Sequence, residues 1–484
     1  MIRVTRSTVI NAPIDRVWSV LRDFNSHTAW HPVVAESEIE GDEPSDRVGC
    51  VRRFRLQDGA RIREQLLSLS DRDYRITYCI LNADIPLERY VATVQLKPVT
   101  DGDGTFWHWQ STFRAPRGRE QELADMVGNG VYEAGFAGVA KMLAERGKTT
   151  MSRIANRAPA RGLAMVFDRA GGPEVLVARE LEVRAPQAGE VRIRHSAIGI
   201  NYLDVYIRRG LAPLAQPGEA LGVEAVGMVV DVGDGVTHVM PGDRVAYLGL
   251  PTGSYSDLRT LSAAQVVPLP ANVDDETAAA AFLKGLTAEY LLHRIHVLKP
   301  GEVVLVHAAA GGLGVIVASW ARSLGATVIG TVSSEEKARL ARDHGCHHVV
   351  VTREYQFADT VMQASGGHGA DLIVDGLGQQ AMSENIAALA MFGHWVSLGH
   401  ASGGIAAIDP HALLAKSATF SAPAVLHYTS DPKRLAQMAD RLWNAIQSGV
   451  ARPHIGARYP LSAAREAHRD LESRATRGSL LLIP

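Results

Sequence analysis

The chain has 484 residues, of which 46% are hydrophobic and 21% charged, and its 50 basic and 52 acidic side chains give a net charge of −2. This composition excludes a disordered or fibrous chain, and the lack of a basic excess argues against nucleic acid as the main partner. At roughly 150 residues per domain, the length predicts about three domains.

The first part of the chain predicts one short strand, two helices, six strands and a long helix. The N-terminus lacks the apolar core of a signal peptide. Residues 2–10 alternate as a strand, and Pro13 opens a helix, followed by a second near 24–30. Turn signals separate further strands near residues 33–40, 48–56, 61–70, 74–81, 88–97 and 105–113. Apolar residues recur at helical spacing over 119–146, so we expect an antiparallel sheet around one long helix, with an apolar cavity between them.

This order of elements, headed by APIDRVWSVLRDFNSHTAWHP, resembles the START-like or polyketide-cyclase (SRPBCC) superfamily over residues 1–147. The resemblance implies an α+β helix-grip domain that binds a hydrophobic or aromatic ligand between sheet and helix. Tyr78, Trp107 and Trp109 are candidates for the cavity wall, although aromatic residues in strands are more often plain core. The polar stretch at 148–162 has few apolar residues and is interpreted as a linker.

A glycine-rich turn in the second part is the sharpest motif. The apolar strand Val303–His307 runs into AAAGGLG, a helix follows from Val315 to Leu324, and Ala326–Gly330 forms the next strand. Small residues let the backbone approach a pyrophosphate, and the free amides at a helix N-terminus face its charge. In this strand–turn–helix context the motif predicts a dinucleotide site.

The second strand of this unit indicates which dinucleotide is bound. NAD-binding folds place an acid about 20 residues past the glycines, but here the strand ends in Ser333 and Ser334, and Lys337 follows. Hydroxyls and a lysine suit a 2′-phosphate, so we expect NADPH rather than NADH. The alternative that Lys337 pairs with Glu335 or Glu336 stays open.

A cluster of histidine and cysteine lies at 344–348, in HGCHH. Such residues can bind a transition metal, but the cluster falls where a turn between helix and strand is expected, and adjacent strand residues face opposite ways. A solvated turn is the favoured interpretation.

Residues 163–484 resemble the zinc-independent, zeta-crystallin-like quinone oxidoreductases of the medium-chain dehydrogenase/reductase superfamily. The stretches that carry this resemblance are FDRAGGPEVL, AIGINYLDVYIRRGL, LGVEAVGMVVDVGDGVTHVMPGDRVAY, FLKGLTAEYLL, HAAAGGLGV and LESRATRGSLLLIP. The family fold implies a GroES-like β-barrel catalytic domain with an inserted α/β Rossmann domain. On this basis 163–285 and 424–484 form the catalytic domain, 286–423 binds NADPH, and the protein is a homodimer.

Cysteine content bears on zinc. The three cysteines, too scattered for a disulfide framework and consistent with a reducing cytoplasm, are Cys50, Cys79 and Cys346. None falls between residues 163 and 345, where zinc alcohol dehydrogenases need ligands, so we expect no metal. Hydride would then go to an acceptor that needs little polarisation, such as a quinone or an alkene conjugated to a carbonyl.

The resemblance also implies site residues, position by position. It implies that Tyr206 and Asn201 face the reaction and are the catalytic candidates. It implies cofactor contacts from Asn201, Thr287, Gly311, Gly312, Leu313, Ser333, Lys337, His400 and Arg474. Two positions depart from the family: Thr352 replaces a tyrosine near the 2′-phosphate, and Ala212 replaces a tyrosine at the substrate mouth, which implies a weaker phosphate grip and a larger pocket.

The sequence therefore predicts a cytoplasmic NADPH:quinone reductase that acts without zinc on a small-molecule quinone or enone, with no membrane or nucleic acid partner. An alternative reaction is reduction of α,β-unsaturated carbonyls or enoyl thioesters. An alternative of another class is a non-catalytic protein that binds NADPH and a hydrophobic ligand. A further open question is whether the first part passes a ligand to the second, or whether the two parts are fused in one chain but work independently.

Overall fold

The structure is a computed structural model that describes residues 1–99, 104–154, 159–405 and 407–484. The chain divides into two compact units, Met1–Arg157 and Ala158–Pro484. No helix among the described residues is both long and apolar enough to cross a membrane.

The first unit contains one antiparallel sheet of seven strands, in the order β1-β7-β6-β5-β4-β3-β2. Alternating buried and exposed residues, as in β7, give each strand one face toward the core. The strands are β1 (Ile2–Ile10), β2 (Val34–Ile39), β3 (Val51–Leu56), β4 (Arg61–Ser70), β5 (Arg75–Ala83), β6 (Glu88–Pro98) and β7 (Thr105–Arg114).

Helices of the first unit cover the inner face of this sheet. They are α1 (Ile14–Leu21), α2 (His27–Trp30), α3 (Glu120–Asp125) and α4 (Ala134–Ile154), with a π-helical segment at Met126–Glu133 between α3 and α4. The predicted long helix is thus interrupted by this segment, and it continues past residue 146 into the predicted linker. A Cβ on Gly138 would lie 1.9 Å from the Trp30 carbonyl oxygen, so only glycine lets α4 approach α2 this closely.

Of the linker expected at 148–162, residues up to Ile154 are helical and residues from Ala160 belong to a strand. Residues 155–158 lie outside the described chain.

Aromatic rings fill the interior between sheet and helix. Trp107 and Trp109 are fully buried and stack with centroids 5.6 Å apart, Tyr132 stacks on Trp109 at 4.4 Å, and Phe136 packs on Trp107 at 4.8 Å. The cavity left beside Tyr78 and these tryptophans measures ≈ 20 Å³, which is room for about one water. Tyr78, Trp107 and Trp109 thus border a cavity between sheet and helix, as the sequence predicts, but this cavity is small and the three side chains are also part of the core.

A buried ion pair lies in the same interior. The Arg52 guanidinium contacts the Glu64 carboxylate with Nε 2.9 Å from Oε2, and it lies 3.9 Å from the centre of the Phe24 ring. Both side chains are almost completely removed from solvent, so each charge depends on the other.

The second unit has a barrel-like sheet, a hairpin and a parallel sheet. Its strands are β8 (Ala160–Phe167), β9 (Leu176–Val183), β10 (Glu190–Gly199), β11 (Glu224–Val232), β12 (Arg244–Leu248), β13 (Leu258–Ser262), β14 (Val266–Pro268), β15 (Val303–Val306), β16 (Thr327–Val332), β17 (His348–Val351), β18 (Ala370–Asp375), β19 (Leu389–Ser397), β20 (Thr419–Ser421), β21 (Ile455–Pro460) and β22 (Ser479–Ile483). The barrel strands run β14-β12-β11-β10-β22-β21, with β13 paired to β10, and β8 pairs with β9. The C-terminal strands β21 and β22 thus complete a sheet whose first strand, β10, begins at residue 190.

The parallel sheet has the order β17-β16-β15-β18-β19-β20, and every neighbouring pair is parallel. Helices of the second unit are α5 (Tyr202–Arg208), α6 (Asp275–Tyr290), α7 (Gly312–Ser323), α8 (Glu335–Asp343), α9 (Ala358–Ala364), α10 (Met382–Ala388), α11 (Pro410–Leu414), α12 (Val425–Tyr428), α13 (Pro432–Gln447) and α14 (Ala464–Glu472), with a π-helical turn at Leu291–Ile295. The order reverses at β15, the central position where such sheets bind ligands. The predicted domain boundary at residue 285 falls inside α6.

Candidate functional site

The glycine-rich loop joins β15 to α7. Ala308 adopts a positive φ of 48°, Gly311 caps the helix, and α7 begins at Gly312, three residues before the predicted start. A Cβ on Gly312 would lie 2.8 Å from Lys284 Cδ, and one on Gly314 would lie 2.4 Å from the Ala308 carbonyl oxygen. The loop can therefore pack this tightly only with glycine at both positions, which leaves the helix N-terminus open to an anion.

Buried polar side chains fix the strand ends beside this loop. His307 Nδ1 lies 2.8 Å from Thr331 Oγ1, and His307 Nε2 lies 2.6 Å from Asn385 Oδ1. Because an amide oxygen only accepts, Nε2 carries the ring proton and Nδ1 accepts from Thr331. Burial lowers the pKa of His307, so the ring is neutral, and it joins β15 and β16 to α10.

A cationic pocket lies where β16 meets α8. Lys337 is half-buried, and its Nζ donates to the carbonyl oxygen of Arg474. Burial first, and then the charge of Arg477, lowers the pKa of Lys337. Glu336 forms an ion pair with Arg477, and its charge also acts on Lys337, which forms its hydrogen bond with Arg474 rather than with this acid.

Two further residues of this pocket were missed by the sequence reasoning. Arg353 Nε donates to the Ser333 carbonyl oxygen at 3.2 Å, and Tyr355 Oη accepts from Arg474 Nη1 at 2.8 Å. Tyr355 adopts a positive φ of 61°, so its ring reaches a pocket that Thr352 was expected to leave without a tyrosine. A tyrosine is present close to Thr352 in the sequence TREY, but only the turn of the backbone at Tyr355 brings its ring into the cationic pocket.

Helix α5 forms another part of the cleft wall. Tyr206 Oη accepts a hydrogen bond from the His400 backbone N–H at 2.8 Å, and burial raises the pKa of this phenol. The His400 side chain is exposed, and Gly399 and Ala401 rather than His400 line the cleft. The amide of residue 400 thus faces the site, and its imidazole lies beside the Tyr206 ring, with the ring centroids 5.9 Å apart.

Asn201 belongs to a buried polar cluster. Its Nδ2 donates to Glu224 Oε1 at 2.7 Å, and Lys284 Nζ lies 3.5 Å from the same oxygen. The Lys284 ammonium is buried and makes no hydrogen bond within the described part of the chain, although its side chain lines the cleft. Thr287 also lines the cleft, with its hydroxyl bonded to Leu283 O at 2.8 Å.

One cleft of ≈ 960 Å³ joins these places. Apolar side chains line it near α5 and α12, and Ala212 lies half-buried on the same side of the core. The predicted site residues that the structure brings together in its wall are Asn201, Tyr206, Thr287, Gly311, Gly312, Leu313, Ser333, Lys337 and Arg474.

A dinucleotide suits this arrangement of residues. The glycine loop at Gly312 offers close backbone approach, and Lys337 and Arg474 offer positive charge. These are the groups that a pyrophosphate and a 2′-phosphate require.

The HGCHH cluster is structural. Cys346 is buried against Gly330, and His347 Nδ1 accepts from the Val328 backbone N–H at 3.0 Å. The expectation of a solvated turn is therefore wrong for Cys346. Across the described ranges, no three His, Cys, Asp or Glu side chains are grouped as metal ligands.

Three protein families match the chain. Residues 1–144 match polyketide cyclase / dehydrase and lipid transport, 187–271 match the alcohol dehydrogenase GroES-like domain, and 312–444 match zinc-binding dehydrogenase. Together with the sheets described above, these matches confirm the predicted fold class, an α+β helix-grip domain followed by a GroES-like barrel and a Rossmann domain.

Individual relatives match about two thirds of this chain and nearly their own full length. A 2-haloacrylate reductase of Burkholderia sp is 40% identical, over 66% of this chain and 99% of the relative. A quinone oxidoreductase of Pseudomonas aeruginosa is 40% identical, over 66% and 98%. The crystal structure of Escherichia coli quinone oxidoreductase complexed with NADPH is similar with a TM-score of 0.64 and 39% identity, over 67% of this chain and 100% of that one.

Proposed function

Because this chain belongs to the quinone oxidoreductase family of medium-chain dehydrogenases/reductases, joined to an N-terminal polyketide-cyclase-like domain, we propose that it transfers a hydride from NADPH to a quinone without a catalytic metal. The relatives make the chain an oxidoreductase.

One observation carries the proposal, the continuity of the ≈ 960 Å³ cleft. Its wall includes the cationic pocket at Lys337 and Arg474, the glycine loop at Gly312, and Asn201 and Tyr206. A dinucleotide with its phosphates on the cations and the loop would place its other end beside α5.

The bound NADPH would supply hydride from its nicotinamide ring. The residues of the chain position the cofactor and the acceptor, and they supply a proton to the acceptor. The Tyr206 oxygen accepts from the His400 amide, so its O–H remains free to donate to an oxygen of the acceptor. Asn201 is held in place by Glu224 and by its capping-box position at the N-terminus of α5, where its side chain faces the Asp204 backbone N–H. The main effect of the protein is to hold two rings together.

The charges in the cleft favour a neutral acceptor. Among the described residues that line it, the Lys and Arg side chains are Lys284, Lys337, Arg353 and Arg474. The last three form the phosphate pocket, and Lys284 faces the Glu224 carboxylate at 3.5 Å. No further Lys or Arg side chain lines the described wall of the cleft to bind a carboxylate substrate, although the exposed Arg209 and Arg474 act electrostatically on Tyr206. A quinone needs no such cation.

The donor set supports a metal-independent reaction. Zinc in this superfamily needs soft thiolate or imidazole ligands near the reacting carbonyl. The cysteine of the second unit, Cys346, is buried behind β16, where burial raises the pKa of its thiol to about 12. Its thiol is thus a poor metal ligand at neutral pH.

The test is oxidation of NADPH, followed at the nicotinamide absorbance, with 1,4-benzoquinones, with and without prior incubation with a metal chelator. We expect turnover that the chelator does not change and a preference for NADPH over NADH. Binding of NADPH without turnover of any acceptor would instead support the non-catalytic alternative, and loss of activity with the chelator would contradict metal independence.

Reduction of an α,β-unsaturated carbonyl is the second candidate, because the 2-haloacrylate reductase is as similar as the quinone oxidoreductases. The same assay with neutral enones, enoyl thioesters and 2-chloroacrylate separates the two. The neutral cleft predicts that 2-chloroacrylate is the poorest acceptor of this set.

A further inference from the structure

Helix α5 has one face that lines the cleft and another that is buried in the core. Tyr202 and Tyr206, four residues apart, line the cleft. Asp204 and Arg208, also four residues apart, are completely buried on another face. The proposed reaction does not use this carboxylate or this guanidinium, yet burying either charge is costly unless partners compensate.

Tyr255 and His468 connect these two buried side chains. Tyr255 Oη lies 3.2 Å from Asp204 Oδ2 and 2.9 Å from His468 Nε2. His468 Nδ1 lies 3.0 Å from Arg208 Nη1. All four residues are fully buried.

The guanidinium sets the direction of every hydrogen bond in this chain. Arg208 can only donate, so His468 Nδ1 accepts and the ring proton is on Nε2. Nε2–H then donates to Tyr255 Oη, and the Tyr255 hydroxyl donates to Asp204. Burial, followed by the charge of Arg208, lowers the pKa of His468 to about 3, so the neutral ring is maintained.

The other end of the network lies on α14. Glu472, four residues after His468, accepts two hydrogen bonds from Arg208 Nη2 at 2.9 and 2.8 Å. The Leu471 carbonyl oxygen accepts from Tyr202 Oη at 2.9 Å. Two residues beyond the helix, Arg474 adopts a positive φ of 59° and enters the phosphate pocket.

Resting on the proposed function, we propose that Arg208, Tyr255 and His468 are positioning residues that couple recognition of the 2′-phosphate to the placement of α5. These residues fix the position of α5, which carries Tyr206, relative to the segment after α14, which carries Arg474. Apolar packing would also hold α5 against α14, but a chain of directional hydrogen bonds specifies a single register between them.

The test is a double-mutant cycle with Tyr255→Phe and Arg474→Ala in the full chain, read as the Kd for NADPH from cofactor fluorescence. Independent substitutions have additive effects, whereas coupled ones do not. We expect Tyr255→Phe to weaken NADPH binding by roughly fivefold alone and by less than about twofold in the Arg474→Ala background. Additive losses would overturn the proposal.

Tyr247→Phe is the matched control. Tyr247 is as buried as Tyr255 and also contacts a histidine and an arginine, with Oη 3.0 Å from His195 Nε2 and 3.3 Å from Arg259 Nη1. It lies outside the network, so its effect should be additive with that of Arg474→Ala. The same non-additivity in this control would show a general softening of the barrel and would also overturn the proposal.

Glu472→Gln is a second variant in case Tyr255→Phe does not fold, because Glu472 is partly exposed. It should show the same sign of coupling to Arg474→Ala. The binding cycle needs no turnover, so a wild-type protein that binds NADPH but reduces no quinone would defeat the proposed function and still decide this proposal. A parallel cycle in kcat should show Tyr255→Phe lowering kcat as well as NADPH affinity.

Discussion

The phenol oxygen of Tyr206 accepts a hydrogen bond of 2.8 Å from the backbone N–H of His400. Tyr206 belongs to α5 beside the barrel, and His400 follows β19 of the parallel sheet, so this bond joins the two walls of the cleft. The amide occupies one acceptor position of the oxygen and orients the hydroxyl proton toward the open space.

Tyr206→Phe should lower kcat with quinones by on the order of tenfold to a hundredfold, because it removes a positioned proton donor. The Kd for NADPH should change little. Since burial raises the pKa of Tyr206, wild-type kcat should show no loss from this group below about pH 10. Steady-state kinetics across a range of pH test this prediction. The control is Tyr459→Phe, which changes a tyrosine of β21. Equal kcat values for Tyr206→Phe and the wild type would rule out a role of Tyr206 as proton donor.

Lys337→Ala should weaken binding of NADPH by about tenfold, because the half-buried Lys337 ammonium no longer forms a charge-assisted hydrogen bond with the 2′-phosphate. Binding of NADH, which has no 2′-phosphate, should not change. Isothermal titration with both cofactors measures this. Arg339→Ala removes one positive charge from the exposed side of the same helix and should leave both affinities unchanged. Equal losses for NADPH and NADH would place Lys337 away from the phosphate.

The preference for NADPH over NADH should fall as pH rises. The pKa of Lys337 is lowered by burial and by Arg477, so its ammonium loses its proton at a lower pH than an ordinary lysine does. Above that pH the 2′-phosphate loses a charged partner, while NADH is unaffected. The ratio of the two Kd values across alkaline pH makes the check, and in Lys337→Ala the ratio should become flat in this range.

Gly314→Ala should reduce both NADPH binding and thermal stability. Its Cβ would lie 2.4 Å from the Ala308 carbonyl oxygen and 2.7 Å from Ala309 Cα, so the loop backbone must move. Gly404→Ala is the control, since no atom lies within 4 Å of its added Cβ. Melting curves with and without NADPH measure the effect; a Gly314→Ala protein that NADPH stabilises as much as wild type would contradict it.

Glu64→Gln should destabilise the first unit by about 3 kcal/mol, because the buried Arg52 guanidinium loses its counter-charge. Glu36→Gln, which breaks an exposed pair with Arg55 on the same sheet, should have little effect. Tryptophan fluorescence during unfolding follows both units, and four of the seven tryptophans, Trp18, Trp30, Trp107 and Trp109, lie in the first, so the transition that shifts in Glu64→Gln is compared with that of the wild type. Equal midpoints for the two variants would argue against the importance of the pair.

The sequence predicted the features that depend on local patterns. The strand at 61–70 and the first strand at 2–10 coincide with the structure because alternation and turn residues determine them. The loop from Gly311 to Gly314 was recognised because its glycines and flanks are contiguous.

Features that depend on distant contacts escaped the sequence. Tyr355 reaches the phosphate pocket through a positive φ and a hydrogen bond with a residue 119 positions away. The exposed side chain of His400 could not be foreseen, because its own backbone amide takes the position facing Tyr206. The network of His468 joins residues 260 positions apart, which no local pattern records.

The filled interior of the first unit has a consequence for any guest molecule. The rings of Trp107, Trp109 and Phe136 pack together between sheet and helix and leave a cavity of only ≈ 20 Å³ beside them. A guest larger than a water molecule can enter this cavity only by displacing at least one ring, and exposing a large apolar side chain costs about 2–3 kcal/mol. That cost lowers the affinity for every guest by roughly 30- to 150-fold, so it acts as a threshold that only a ligand matching the vacated ring in shape can overcome.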